Sequence, residues 1–198
     1  MFGAPPVISF VSLLIWAPAT YIARETHVIL GKDQMSERRA AADTDWGDID
    51  WKIHGVKVIP GDQLDTNTPQ SPGMSRAAAI NFARVGAQKI WAGTVHIHAN
   101  AKTGAHHHGA LESVIYVLKG RTRLRWGNRL EYVAEAGPGD FIFVPAYVPH
   151  QEINASTDET LECILVRSDN EAVVVNLDIE PVEKPEEVLW IDPIHKHG

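Results

Sequence analysis

The chain has 198 residues, a formal net charge of −7, 44% hydrophobic and 22% charged residues. That length allows one domain of ordinary size with extensions, and the composition excludes a disordered chain. The acidic balance argues against nucleic acid as the main partner. The single cysteine, Cys163, excludes an intrachain disulfide and a thiolate metal cage.

From Met1 to Ala23 no side chain is charged, and Val7 to Trp16 is strongly apolar. Ala17-Pro18-Ala19 resembles a leader cleavage site, but the basic segment of a secretory signal is missing and Pro5, Pro6 and Pro18 interrupt the run. The segment is borderline in length for a membrane span. We read residues 1–34 as an apolar leader or a mis-assigned start, and favour Met35 as the natural start. That start implies a cytoplasmic protein with no membrane partner, whereas a genuine leader would export or anchor it. Residues 35–89 form an N-terminal extension with one or two strands. Asp43, Asp45, Asp48 and Asp50 lie in a solvated linker, since no glycine-centred calcium loop follows. Trp51 to Ile59 reads as an entry strand, Asp62 to Gly73 as loop, and Ser75 to Val85 as a short helix or the start of a strand.

From Ile90 the pattern is β. Strands are expected over Trp91–His98, Val114–Leu118, Arg121–Trp126, Leu130–Ala134, Phe141–Val144, Leu161–Arg167 and Ala172–Leu177. Gly127-Asn128 marks a hairpin turn. Arg121, Arg123 and Arg125 alternate as the wet face of a strand, and Cys163 reads as a small buried hydrophobe. Short strands separated by Gly, Pro and Asn turns predict an all-β sandwich or barrel over residues 90–179. Residues 180–198 form an acidic tail with little to pack.

The chemistry concentrates in Gly104-Ala105-His106-His107-His108-Gly109-Ala110-Leu111-Glu112 and in Val148-Pro149-His150-Gln151-Glu152-Ile153-Asn154. His106 and His108 are two apart, so on a strand their rings share a face, with His107 on the other. A third imidazole from a later strand and a nearby carboxylate would complete a metal site with open positions. His96 and His98 also share a face, but Val95 and Ile97 alternate with them as core, which turns the pair outward.

These motifs resemble the cupin superfamily. Its second motif, G-x5-P-x-G-x2-H-x3-N, is matched by Gly139, Pro145, Tyr147, His150 and Asn154, with Tyr147 in place of the middle glycine. Its first, G-x5-H-x-H-x3,4-E-x6-G, is matched by His106, His108 and Gly120, with Gly104 closer than the pattern asks. The resemblance covers Trp91 to Leu177 and implies a jelly-roll barrel with an irregular N-terminal extension. It also implies one divalent metal ion, of Zn, Fe, Mn or Ni type. Counting forward from His108 places the motif's carboxylate on Glu112; counting back from Gly120 places it on Ser113. Two arrangements follow. In one, His106, His108, Glu112 and His150 bind the metal, with a bulge near Gly109 turning Glu112 inward. In the other, three histidines bind it, completed by water or another side chain. Some similar cupins, including polyketide cyclases, carry four histidines, which keeps His98 as a candidate.

The resemblance implies an enzyme acting on a small organic molecule, of dioxygenase, isomerase or cyclase type. The alternative is a non-catalytic small-molecule-binding or sensor protein. Tyr147 and Gln151 flank the His150 turn as candidates to orient substrate, and Glu152 shares strand parity with His150 as a candidate general base. Tyr147 and Glu152 are the catalytic candidates. A homodimer is expected, because Trp91, Trp126 and Tyr132 fall in strands whose outer faces would otherwise expose large apolar groups.

Overall fold

A computed structural model of the chain describes residues 50–170 and 173–190. The leader, the Met35 start and the linker aspartates before Asp50 lie outside the described residues, as do His27, His195 and His197. The chain divides at Gly55. In the first unit, the described residues form a single turn of helix, α1 (Trp51–His54), where the sequence suggested a strand. The side chain of Asp50 accepts the Lys52 backbone N–H and caps that turn, a local bond that outweighs the β-forming residues around it.

Among its described residues, the second unit is all-β apart from a 3₁₀ turn (Gly61–Gln63) and a short helix, α2 (Phe82–Val85). Its strands are β1 (Met74–Ile80), β2 (Trp91–Ile97), β3 (His106–His107), β4 (Ser113–Lys119), β5 (Thr122–Trp126) and β6 (Tyr132–Ala136). They continue as β7 (Phe141–Val144), β8 (His150–Asn154), β9 (Leu161–Arg167), β10 (Val175–Asn176) and β11 (Glu186–Glu187). The ambiguous Ser75–Val85 segment is strand first and helix after. Asn81 ends β1 and caps α2 by accepting the Arg84 N–H.

Two sheets result, in the orders β1-β2-β9-β4-β7 and β10-β3-β8-β5-β6-β11. All pairs are antiparallel except β11 with β6. Glu186 and Glu187 thus pair with Tyr132 and Val133, so this part of the acidic tail is zipped to the sheet edge. Alternation sets the faces. Trp91, Val95 and Ile97 of β2, Ile115 and Val117 of β4 and Leu161, Cys163 and Leu165 of β9 point inward. They meet Leu124 of β5 and Ala136 of β6 in one hydrophobic cluster. Trp91 is therefore core, not an outer-face residue as the dimer argument supposed. Its inward parity with Val95 and Ile97 is the reason.

Outward residues are those the alternation predicts. His96 and His98 are exposed, and Arg123 lies on the solvent face in a salt bridge to Glu135 at 2.6 Å. Cys163 is buried, with its thiol pushed up to about 12 by burial and by the field of Glu152.

Candidate metal centre

The site is built on the pairing of β3 with β8. His106 and His150 stand directly opposite each other across these strands, so both rings project from the same inner face. The ring centroids lie 4.5 Å apart. His108 follows His106 by two residues and keeps its face, with its ring 4.9 Å from that of His106 and 5.1 Å from that of His150. All three are buried. His107 points the other way; its Nδ1 accepts the Gly109 N–H, and its ring faces Tyr147.

Each buried imidazole is held by a backbone carbonyl. Nδ1 of His106 meets Gly104 O at 2.9 Å, Nδ1 of His108 meets Val173 O at 2.8 Å, and Nδ1 of His150 meets Val148 O at 2.8 Å. A carbonyl only accepts, so each Nδ1 carries a proton and each ring turns its Nε2 to the interior. Burial lowers the pKa of His108 to about 4, aided by the positive charge of Arg167, and burial likewise lowers that of His150. These two rings are thus neutral and ligand-competent at physiological pH.

The carboxylate beside them is Glu152. It lies two residues beyond His150 on β8, on the same inner face. Its Oε2 is 3.6 Å from His106 Nε2, and its Oε1 is 3.9 Å from His150 Nε2. One ligand atom from each of His106, His108, His150 and Glu152 lies within 4.8 Å of all the others. Thr103 fixes the carboxylate. Its hydroxyl donates to Glu152 Oε2 at 2.8 Å and accepts the Glu152 backbone N–H at 3.0 Å. Burial opposes charge on Glu152, but the facing imidazoles of His150 and His106 and the Thr103 hydroxyl prevail and draw its pKa down to about 2.

Glu112, which the forward spacing nominated, is exposed and stands outside this group. Ser113, Ile115 and Val117 take the inward positions of β4, which turns Glu112 to solvent. The chain after His108 makes a turn closed by Leu111 N–H to His108 O, not a bulge that could rotate Glu112 back. The register shift in β4 lies between Val117 and Lys119 instead. Of the catalytic candidates, Glu152 joins the cluster, whereas Tyr147 is 65% exposed and turned toward His107. Gln151 lies on the other face of β8 and donates to Thr103 O at 2.7 Å. His98 is exposed and does not take part.

The remaining motif positions are structural. Asn154 Nδ2 donates to the carbonyls of Ile97, His98 and Glu159, tying the end of β8 to β2 and to the β8–β9 loop. Tyr147 occupies the motif's glycine position with φ +61°, the left-handed region glycine favours, and its N–H donates to Gly109 O at 2.7 Å.

The match to known proteins now has a structural frame. Residues 93–167 match the family described as Cupin domain. The chain carries a cupin domain. The polyketide cyclase RemF from Streptomyces resistomycificus is similar at 23% identity and a TM-score of 0.53, over 66% of this chain and 89% of that one. Peruvianin-I from Thevetia peruviana latex, described as a cysteine peptidase, aligns at 12% identity and 0.51, over 62% and 77%. KdgF from Halomonas sp. aligns at 17% identity and 0.48, over 59% and 96%. No curated protein sequence matches. RemF and peruvianin-I, so differently described on one fold, make these likenesses a statement about architecture, and the chemistry must be argued from the site.

Three imidazoles and one carboxylate are a donor set suited to a divalent transition metal. The carbonyls behind each ring are the outer partners such ligands use to fix tautomer and orientation. The residues present therefore fit a metal ion. Sequence reasoning missed Thr103, a loop residue, and two inward arginines, Arg76 and Arg167. The signal for the arginines was present: Arg167 shares parity with Leu161, Cys163 and Leu165, and Arg76 with Met74 and Ala78.

Proposed function

We propose that this cupin is a metal-dependent enzyme acting on a small organic molecule, with one divalent ion held by His106, His108, His150 and Glu152. The observation that carries the reading is the convergence of three Nε2 atoms on a buried carboxylate, each ring locked from behind by a carbonyl. An ionised carboxylate offers these Nε2 atoms no proton, whereas a cation would accept a lone pair from each. A bound divalent ion would supply Lewis acidity toward a carbonyl or carboxyl oxygen.

The chain's own residues divide the rest of the work. The β3–β8 pairing orients the imidazoles, and Thr103 restrains the Glu152 carboxylate. A cleft of about 480 Å³ beside His106, also lined by Trp91, Thr103 and Asn176, gives room for one small ligand. Dioxygenase, isomerase and cyclase chemistry are all compatible with these parts.

Elemental analysis of untagged protein tests the reading. We expect about one metal per chain, lost in His106→Ala and His150→Ala variants that keep their far-UV spectrum. Folded wild-type protein that takes up no Zn, Fe, Mn or Ni would leave a metal-free binding barrel as the reading instead.

A further inference from the structure

Two arginines stand inside the barrel next to the histidine cluster. Arg167, at the end of β9, is only 6% exposed. Its guanidinium carbon lies 5.9 Å from the centre of the Trp91 ring. Its Nε is buried and meets no hydrogen-bond acceptor. Arg76, on the inward face of β1, donates through one Nη to Pro69 O and Ser71 Oγ, yet its buried Nε is also unpaired. The other buried, unpartnered side-chain atom among the described residues is Ser113 Oγ, whose residue faces Arg167 across the β4–β9 pair. Three orphaned polar atoms in one interior point to an absent partner, since such groups are costly to bury unpaired.

The charge balance says what sign that partner has. Arg76 and Arg167 line both the outer cleft and a smaller inner cavity against Glu152. Among the described residues, Glu152 is the one carboxylate lining either, and Lys102 adds a further cation to the cleft wall. Two guanidinium groups against one carboxylate leave the interior positive, and a divalent ion would make it more so. This occurs in a chain whose net charge is −7. A positive cleft with guanidinium N–H groups lacking acceptors suits an oxyanion. The planar fork of Arg167, backed by an indole ring, matches the two coplanar oxygens of a carboxylate.

We propose that the cleft binds a small organic carboxylate whose oxyanion is held by Arg167 and Arg76, beside the histidine cluster. This deepens the enzymatic reading above and rests on it for the identity of the site as a reaction centre. Arg167 and Arg76 set the substrate class.

Malonate and its uncharged analogue malonamide are the probes, titrated by calorimetry into the full chain, metal-free and zinc-loaded in separate experiments. Malonate is expected to bind and malonamide not. Arg167→Gln and Arg76→Gln should each weaken malonate binding about tenfold or more, while zinc uptake stays as in the parent protein. Arg76 is only half-buried, so Arg76→Gln serves if Arg167→Gln does not fold. Arg167→Lys, which keeps charge but loses the fork, should recover only part of the affinity. Absence of malonate binding in either state, equal binding of malonamide, or unchanged affinity in the folded arginine variants would overturn the proposal. Tighter binding of inorganic phosphate than of malonate would overturn the carboxylate class. Malonate binding by protein that takes up none of Zn, Fe, Mn or Ni retains this proposal and removes the metal reading; metal uptake without malonate binding does the reverse.

Discussion

At the scale of residues, the centre depends on which carboxylate faces inward, and parity decides it. Glu152 shares the inner face of β8 with His150, whereas Glu112 precedes the inward Ser113 by one position. We therefore expect Glu112→Gln to leave metal affinity unchanged and Glu152→Gln to reduce it strongly. Thr103→Val removes the hydroxyl that restrains Glu152 and should cost about 10–100-fold in metal affinity, the usual scale for an outer partner of a ligand. Competition with a fluorescent zinc chelator measures all three. Loss of affinity in Glu112→Gln with none in Glu152→Gln would reverse the assignment. Tyr147 gives a second residue-scale prediction. A tyrosine at φ +61° carries a steric cost that glycine avoids. Its side chain is 65% exposed, so removing it forfeits little packing. Tyr147→Gly should raise stability by about 1 kcal/mol in urea unfolding, and a loss of stability would show that the ring contact with His107 matters more.

At the scale of elements, the motif order made the barrel legible, because strand alternation and turn residues recur through residues 90–167. Phe141–Val144 and Leu161–Arg167 are bounded in the structure as the sequence suggests. Less legible was anything fixed by a partner far along the chain. The forward motif count gave Glu112 because spacing alone does not reveal that the chain turns after His108. Trp51–Ile59 has the composition of a strand, yet one capping bond from Asp50 makes helix of its first turn. The paired strands β3 and β8 also carry a pH dependence. In metal-free protein His108 titrates near 4 when folded, against an ordinary value of 6.5, with burial the main cause. His150 is shifted in the same direction by burial. The unfolded chain therefore binds protons that the folded chain refuses, and stability falls as pH drops from about 6.5 to about 4. Glu152, held near 2, extends the loss below its ordinary 4.5. Urea midpoints measured across this range should fall with acidity. A flat profile between pH 6.5 and 4 would mean that the imidazoles accept protons in the folded barrel.

At the scale of the whole molecule, a row of exposed apolar side chains lies on the outer face of the five-stranded sheet. Val114 and Leu118 of β4, Phe141 and Phe143 of β7 and Ile164 of β9 all point outward there, with Phe141 73% and Phe143 59% exposed. The register aligns Val114 with Phe143, and Tyr116 with both Phe141 and Ile164, so these side chains form adjoining rows. The Tyr116 and Phe141 rings are 4.6 Å apart. Strand β7 also lies at an edge of its sheet. An edge strand bearing two exposed phenylalanines is a hazard unless something covers it. We propose that a second copy does, through a two-fold contact in which each face covers its counterpart. Trp91 has no part in it, being core. Light scattering should then give twice the monomer mass. A Phe141→Ser, Phe143→Ser double variant should give the monomer mass while retaining metal, since neither side chain contributes to the interior. A monomer mass for the unsubstituted chain at micromolar concentration would reject the dimer and leave the patch to a different partner.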